Sequence, residues 1–386
     1  ADPGNITVFP FQKDFGGNVY VRIKNMEDGY YWTGSSFSAT VTDIETLYDL
    51  AYTVNWSTPT VINSALRDGK RYSIFLLPRD KAGNIETVEN QAASYQVLFD
   101  TSLPSAYFTY PGDRQILKSL SPITGAAVDP PGANSPNYKS DLDRVELQIY
   151  YEQGGKWWYN GSGGFDVSGS SFNVVSGTDT WSYSHASLAS ALVSGKYYVL
   201  QAKTADRAGN VQNGFTNIAS SRTFMWDTTP PASTITQPIN AGKYRPDNLT
   251  GAAALNGNAV DPALPFPADQ LNKVQTHLSY LEGSTTYYWT GSAFSSYTVT
   301  FDGAWSSAIG TDTWRYPFDG TNWVSDKNYT LRVRAFDKAG PMDANGGNEQ
   351  NPWTVVNFNV DGTPPVSRVS TPTAGSFIQN SIAQLA

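Results

Sequence analysis

A five-residue element that occurs three times constrains the fold more than any other feature of the sequence. It reads DKAGN at residues 80–84, DRAGN at 206–210 and DKAGP at 337–341, so the copies are 126 and 131 residues apart. A tyrosine precedes the aspartate of each copy by eight residues; the three are Tyr72, Tyr198 and Tyr329. Because a fixed period indicates tandem units with a common fold, the sequence predicts repeats of about 130 residues, an ordinary size for one domain.

Each repeat has the pattern of short antiparallel strands. Residues 329–335, YTLRVRA, alternate apolar and polar side chains, and a period of two with one polar face predicts a half-buried strand. Hairpins that end in aromatic residues and glycine also recur, as YYWTG at 30–34 and again at 287–291. About seven short strands separated by turns in a unit of this size predict a β-sandwich.

Two further motifs resemble known domains. LRDGKRY at 66–72 and LVSGKYY at 192–198 resemble the tyrosine corner of immunoglobulin-like and fibronectin-III-like sandwiches, and the DxAGN hairpin followed by DTTPP at 227–231 resembles the Ig-like repeats of bacterial surface proteins. The resemblance implies that the hydroxyls of Tyr72, Tyr198 and Tyr329 bond to upstream backbone at this corner. It also implies the fold class, an all-β chain of tandem immunoglobulin-like antiparallel β-sandwiches in a rod.

Breaks that contain proline mark the domain boundaries. DTSLPS at 100–105, DTTPPA at 227–232 and DGTPPV at 361–366 each follow a strand, and proline removes a hydrogen-bond donor from a strand ladder. The predicted domains are 1–100, an Ig-like repeat lacking its first two strands; 101–227 and 228–361, two Ig-like repeats; and 362–386, the first two strands of a further repeat.

The register of the repeats at the two ends of the chain predicts a polymer. Residues 362–386 supply the two strands that 1–100 lacks, and an incomplete sandwich recruits a partner strand. We expect a structural extracellular filament subunit, pilus-like or fibre-like, that polymerises head-to-tail by donating its C-terminal strands to the incomplete domain of the next subunit. The donor residues would be Val366, Val369, Ile378, Ile382 and Leu385, and the acceptor strand would hold Val19, Val21 and Ile23.

A second interpretation fits the same register. The chain would be a fragment of a long covalent tandem-Ig surface adhesin or stalk, in which the next repeat follows through an ordinary peptide bond. Carbohydrate binding would be an added function there, because Trp32, Trp158 and Trp289 lie in aromatic clusters that either pack inside the sandwiches or stack on glycans of a host or neighbouring cell surface. Both interpretations describe an extracellular, cell-surface protein of a bacterium or archaeon.

Composition excludes several classes of partner. The chain has 26 basic and 34 acidic residues, for a net charge of -8, which argues against nucleic acid as a partner. It has no cysteine, so it has neither disulfides nor thiolate metal sites. No apolar run approaches the roughly 20 residues of a membrane-spanning helix. The expected partners are copies of the chain itself and surface glycans.

Catalysis is not expected, and calcium is the one cofactor to weigh. The two histidines, His185 and His277, stand in no catalytic motif and are predicted to lie at the surface. Asp100, Asp227 and Asp361 each end a strand at a domain junction. Such an aspartate either caps the turn that follows it or provides hard oxygen ligands for a junction calcium ion.

Overall fold

The computed structural model describes residues 19–45, 47–48, 56–57, 62–79, 82–86, 95–134, 138–262, 271–340, 347–370, 372 and 374–377. The chain divides into two compact units. The first comprises Ala1–Gln115, Leu120–Leu192 and Tyr197–Phe224, and the second comprises Ile116–Ser119, Val193–Lys196 and Met225–Ala386. No helix among the described residues is long and apolar enough to cross a membrane.

Strands make up nearly all the regular structure of the described residues. The first repeat contains β1 (Val19–Asn25), β2 (Tyr31–Trp32), β3 (Phe37–Ser38), β4 (Ile44–Glu45), β5 (Leu47–Tyr48), β6 (Trp56–Ser57), β7 (Lys70–Pro78) and β8 (Tyr95–Phe99). The second contains β9 (Ser105–Tyr110), β10 (Gln115–Leu117), β11 (Ile123–Val128), β12 (Leu142–Tyr151), β13 (Lys156–Tyr159), β14 (Gly164–Val167), β15 (Asn173–Val174), β16 (Thr180–Tyr183), β17 (Lys196–Asp206) and β18 (Ser221–Trp226). The third contains β19 (Ala232–Gln237), β20 (Lys243–Tyr244), β21 (Gly251–Val260), β22 (Leu271–Glu282), β23 (Thr285–Trp289), β24 (Phe294–Ser295), β25 (Ser306–Ser307), β26 (Thr313–Phe318), β27 (Lys327–Asp337) and β28 (Thr354–Val360).

Among the described residues, helical structure is confined to single turns. One α-helical turn covers Leu188–Ala191, and 3-10 turns cover Asn63–Ala65, Pro246–Asn248, Asp302–Ala304 and Gly320–Asn322.

The second and third repeats have the same strand order. In the second, a sheet ordered β10-β18-β17-β12-β13-β14 faces a sheet ordered β16-β11-β9. In the third, β20-β28-β27-β22-β23-β24 faces β19-β21-β26. The longest antiparallel pairs are β12–β17 and β22–β27, and β27 contains the alternating stretch YTLRVRA that predicts a half-buried strand. This order is that of an immunoglobulin-like sandwich, so the chain is all-β, with tandem immunoglobulin-like antiparallel β-sandwiches.

The first repeat shows one large sheet, ordered β3-β2-β1-β7-β8. Its β1, β7 and β8 correspond to β12, β17 and β18 of the second repeat. Val21 and Ile23 of β1 lie in its core with exposed fractions of 0% and 1%, among residues that include Trp32, Tyr72 and Ile74. The side chain of Val19 and residues 1–18, which precede this sheet, lie outside the described residues.

The hydroxyls of Tyr72 and Tyr329 bond to backbone five residues upstream, as a tyrosine corner does. The backbone N–H of Arg67 donates to the Tyr72 hydroxyl over 2.9 Å. The Tyr329 hydroxyl accepts from the N–H of Val324 over 2.7 Å and donates to its carbonyl oxygen over 3.1 Å. Tyr198 has no exposed surface and stacks on Phe224 in the second-repeat core. Burial raises the pKa of both Tyr72 and Tyr329, so the hydroxyls stay protonated.

Candidate cation sites at two aspartate clusters

The three junction aspartates each cap the turn that follows a final strand. The Oδ1 atom of Asp100 accepts from the N–H of Ser102 over 3.0 Å, and that of Asp227 accepts from the N–H of Thr229 over 2.9 Å. Asp361 accepts from the N–H of Thr363 over 2.8 Å in the same way. The capping interpretation therefore describes all three, because an Asx turn needs only the next two residues.

Two of these aspartates also belong to clusters of three carboxylates. Asp100 lies beside Asp129, which follows β11, and Asp206, the last residue of β17; one carboxylate oxygen from each lies within 4.8 Å of the others. The exposed fractions are 6%, 1% and 2%, respectively. This cluster lies entirely within the first compact unit.

The second cluster is built from the equivalent residues of the next repeat. Asp227, Asp261 and Asp337 bring their carboxylate oxygens within 4.8 Å of one another, all inside the second compact unit. Asp337 ends β27 as Asp206 ends β17, and Asp261 follows β21 as Asp129 follows β11. The same fold position thus gathers the same three carboxylates twice.

An asparagine holds each cluster to the backbone. The side-chain amide of Asn210 donates to the Asp100 carbonyl oxygen over 3.0 Å and to Oδ2 of Asp206 over 2.8 Å. Asn348 donates to the Asp227 carbonyl oxygen over 3.0 Å and to Oδ2 of Asp337 over 2.8 Å. Each asparagine amide is fully engaged, since both of its protons are donated.

Asp129 is the member of the first cluster whose carboxylate oxygens accept no hydrogen bond among the described residues. The side chain is nevertheless buried. Burial, and then the charges of Asp100 and Asp206, raise the pKa of Asp129 to about 6. Smaller opposing effects come from the Asp141 backbone N–H, which lies near the carboxylate but outside hydrogen-bonding geometry, and from the charge of Lys139. A buried carboxylate without donors is expensive unless a charge compensates it.

The second cluster has the same electrostatic character. Burial raises the pKa of Asp227, although the N–H of Thr229 and the hydroxyl of Ser194 oppose the change. Burial also raises the pKa of Asp337, opposed by Ala339 and Asn348 and reinforced by the Asp227 charge. Three close carboxylates with hard oxygen atoms are the donor set that divalent cations such as Ca²⁺ prefer.

Sequence reasoning found one member of each cluster and missed two. The sequence predicts Asp100 and Asp227 as calcium candidates, but it does not single out the other four ligands, Asp129, Asp206, Asp261 and Asp337. The missed signal is the tetrapeptide AVDP, which occurs at 127–130 and again at 259–262. Asp361, the third candidate, is exposed and joins no such cluster among the described residues.

The proposed sugar-stacking tryptophans are core residues. Trp32, Trp158 and Trp289 have exposed fractions of 2%, 0% and 5%, so their ring faces are not accessible to a sugar and that prediction is wrong. Each indole points inward from the aromatic hairpin and packs on a phenylalanine, Phe37, Phe165 or Phe294. The exposed aromatic of the first two clusters is instead the tyrosine, Tyr30 or Tyr159.

The prediction that His277 lies at the surface is also wrong. It has no exposed surface, because Phe301 and Trp305 from the segment between β24 and β25 cover the outer face of β22. His185 packs edge-on against Trp158, and its Nδ1 accepts from the N–H of Ser187 over 3.2 Å.

The proposed donor residues are exposed where they are described. Val366 and Val369 have exposed fractions of 96% and 68%. Ile378, Ile382 and Leu385 lie outside the described residues.

No protein-family profile matches the chain, and no curated protein matches it by sequence. Among solved structures, it is similar to a tetra-tandem repeat in the extending region of a large adhesion protein, with 14% identity and a TM-score of 0.28 over 94% of this chain and 71% of that one. It is also similar to a 1.5-MDa bacterial ice-binding adhesin, with 15% identity and a TM-score of 0.34 over 93% and 91% of the two chains. Fibronectin(III)-like modules of Clostridium thermocellum CbhA match at 12% identity and a TM-score of 0.30, over 67% and 94%. With TM-scores this low, the fold assignment rests on strand order and pairing.

Proposed function

We propose that the chain is part of an extracellular stalk of a surface adhesin, and that it acts mechanically rather than as an enzyme. The observation that carries this proposal is that equivalent hydrogen bonds hold the backbone at Asp100 and at Asp227. A spacer that must transmit force needs such bonds at every repeat, whereas an enzyme needs convergent reactive groups in one place.

At Asp100 the backbone is held from both sides. The N–H of Gly69 donates to the carbonyl oxygen of Phe99 over 2.8 Å, and the N–H of Thr101 donates to Asp68 over 2.8 Å. Asn210 of the second repeat holds the Asp100 carbonyl oxygen. Asp68 also accepts from the N–H of Ala133 over 2.8 Å, so the two repeats share a hydrogen-bond network.

The equivalent bonds recur at Asp227. The N–H of Gly195 donates to the carbonyl oxygen of Trp226 over 2.8 Å, and the N–H of Thr228 donates to the Ser194 hydroxyl over 3.0 Å. Asn348 holds the Asp227 carbonyl oxygen as Asn210 holds that of Asp100. Repetition of these three bonds supports a role for the junctions that is common to the repeats.

Small-angle X-ray scattering tests the stalk. An eleven-residue strand spans about 36 Å at about 3.3 Å per residue, so three sandwiches in line would give a radius of gyration of about 30 Å. A compact chain of this length would give about 21 Å. A value near the compact one would contradict the proposal.

Strand donation is a second candidate, favoured by the segment that follows Asp361. The N–H of Gly362 donates to the Ser325 hydroxyl over 2.8 Å. This bond is equivalent to the one from the N–H of Thr228 to the Ser194 hydroxyl. Val369 stands where Phe108 stands in β9, yet Phe108 is 2% exposed and Val369 is 68% exposed. Residues 366–372 are therefore suited to begin a further sandwich, supplied either by the continuing chain or by a second copy.

The denatured mass of the native protein separates these two sources. A species near 42.0 kDa that still forms polymers, and loses them when residues 363–386 are deleted, would support donation. A mass several times larger would support a continuous covalent array.

Carbohydrate binding has one supporting observation, a cleft of about 720 Å³ in the third repeat. Tyr316, Asp319 and Asn322 line it together with Trp289, a combination of aromatic and polar groups that suits sugar hydroxyls and ring faces. A glycan array probed with the chain and with Tyr316→Ala tests this function. Absence of a signal that depends on Tyr316 would remove it.

A further inference from the structure

We infer that each of the two aspartate clusters binds one Ca²⁺ ion, held by Asp100, Asp129 and Asp206 in the first and by Asp227, Asp261 and Asp337 in the second. The inference rests on the proposed function in one respect: the ions would stabilise the junctions at Asp100 and Asp227 of the proposed stalk. Binding itself does not depend on the stalk and is measured separately.

The first argument is uncompensated charge. Three carboxylates lie together in the first cluster, and all three side chains are buried. No lysine or arginine among the described residues makes an ion pair with Asp100, Asp129 or Asp206; the nearby Lys139 pairs with Asp141 instead, over 3.5 Å. Buried charges are paired or coordinate metals, and the described chain offers this cluster no pair.

The second argument is the orientation of Asp129. Its carboxylate is 1% exposed, points into the cluster and has both oxygens without a hydrogen bond among the described residues. Its neighbours have partners: Asp100 accepts from Ser102 and Ser140, and Asp206 accepts from Asn210. Asp129 is the member of the cluster without such a partner, and a bound cation would compensate its charge.

The third argument is the chemistry of the donors. The carboxylate oxygens of each cluster lie within 4.8 Å of one another, close enough for one ion to contact all three, and Ca²⁺ accepts oxygen ligands in flexible geometry. Mg²⁺ demands near-ideal octahedral geometry and keeps several of its waters, so it is seldom held by a cage of protein groups. The three carboxylates therefore favour Ca²⁺, with water completing the coordination.

The test is isothermal titration of the EDTA-treated full chain with CaCl₂ at pH 7.5, with MgCl₂ as comparison. We expect Asp129→Asn and Asp261→Asn each to lower the number of Ca²⁺ ions bound per chain by one, and the double variant to lower it by two. Asp143→Asn is the matched control, since Asp143 is a surface residue paired with Arg144. It should leave the stoichiometry unchanged.

Folding of the variants is checked without calcium. Replacing one of three repelling carboxylates with an amide should leave the apo Tm equal or higher, while the rise in Tm that CaCl₂ produces should become smaller. An unchanged stoichiometry in both variants, or the absence of Ca²⁺ binding by the unsubstituted chain, would overturn the inference. A compact scattering radius with intact binding would reject the stalk and leave the calcium sites standing.

Discussion

The side-chain amide of Asn348 donates to the backbone carbonyl oxygen of Asp227 across 121 residues of sequence, over 3.0 Å. Asn210 makes the same bond to Asp100 from the residue directly after Gly209, whereas Asn348 stands seven positions further along its motif than Asn210 does. Gly347 makes the longer route feasible: its φ is +107°, and a Cβ there would lie 2.0 Å from the carbonyl oxygen of Asp337. The contact is therefore retained although the motif spacing is not.

Asn348→Ala should loosen the third repeat. The variant removes donors from the Asp227 carbonyl and from Oδ2 of Asp337, and leaving buried acceptors unsatisfied costs about 1–3 kcal/mol. Guanidinium denaturation followed by tryptophan fluorescence measures the effect. Asn213→Ala, in an exposed loop, is the matched control and should shift the midpoint little; equal midpoints for both variants would contradict the role of Asn348.

Much of the fold was predictable from the sequence because it depends on local pattern. The alternation in YTLRVRA is β27, the aromatic hairpins are β1–β2 and β22–β23, and the corner tyrosines are core residues. Periodicity of two reports which face a residue occupies. It does not report what lies over that face, which is why His277, on the outer face of β22, was placed wrongly.

The candidate cation sites were only partly predictable for a related reason. Asp100, Asp129 and Asp206 are separated by 29 and 77 residues, and nothing local to any of them indicates that the three strand ends meet. Repetition was the available signal, since AVDP and DxAG each recur with the period of the domains. Read separately, each motif describes a turn; only the strand order brings them together.

Gly125→Ala should prevent the second repeat from folding stably. A Cβ at this position of β11 would lie 2.2 Å from the Trp181 ring and 2.2 Å from the carbonyl oxygen of Tyr107. Neither group can move aside without a large energetic cost, because one is a core indole and the other is backbone of the paired strand β9. We expect a loss of several kcal/mol, on the order of other overpacked core variants or more.

The comparison variant for Gly125 is Gly214→Ala. No atom lies within 4 Å of a Cβ built at Gly214, so the same added methyl should be tolerated. Thermal unfolding followed by circular dichroism compares the two. A Gly125→Ala chain that unfolds like the Gly214→Ala chain would show that β9 and β11 are more separable than their contact implies.

The tyrosine corner predicts a graded effect. Tyr329→Phe removes two hydrogen bonds to Val324, and Tyr72→Phe removes one from Arg67. With about 1 kcal/mol for each net bond and more for a group left unsatisfied, Tyr329→Phe should cost about 2 kcal/mol and Tyr72→Phe about 1 kcal/mol. Urea midpoints of the affected repeats, followed by hydrogen exchange, measure the order. The reverse order would contradict the graded corner.

We expect the third repeat to lose stability in mild acid because its buried His277 resists protonation. Burial, and then the positive charges of Arg332 and Arg334, lower the pKa of this imidazole from its usual 6.5 to about 4. Both ring nitrogens lack a hydrogen-bond partner among the described residues, and Phe301, Trp305 and Tyr288 surround the ring at centroid distances of 4.5, 5.2 and 5.4 Å. The folded state therefore holds the neutral form.

The sign of this effect follows from proton uptake. Between pH 6.5 and about 4 the unfolded chain binds a proton at His277 that the folded chain does not. The stabilisation is complete above pH 6.5 and declines as the pH falls toward 4, by at most about 3 kcal/mol. His277→Gln removes the titrating group and places there the residue that Gln148 provides at the equivalent position of β12.

The measurement is the urea midpoint of the third repeat at pH 7.5, 6.0 and 5.0 in both chains. His277→Gln should reduce the fall in stability between pH 7.5 and 5.0, whatever its effect on stability at pH 7.5, since only the slope reports the proton. His185→Gln is the control, and it should retain the slope of the unsubstituted chain. Parallel slopes for His277→Gln and the unsubstituted chain would mean that the imidazole is protonated in the folded repeat or gains solvent access before it unfolds.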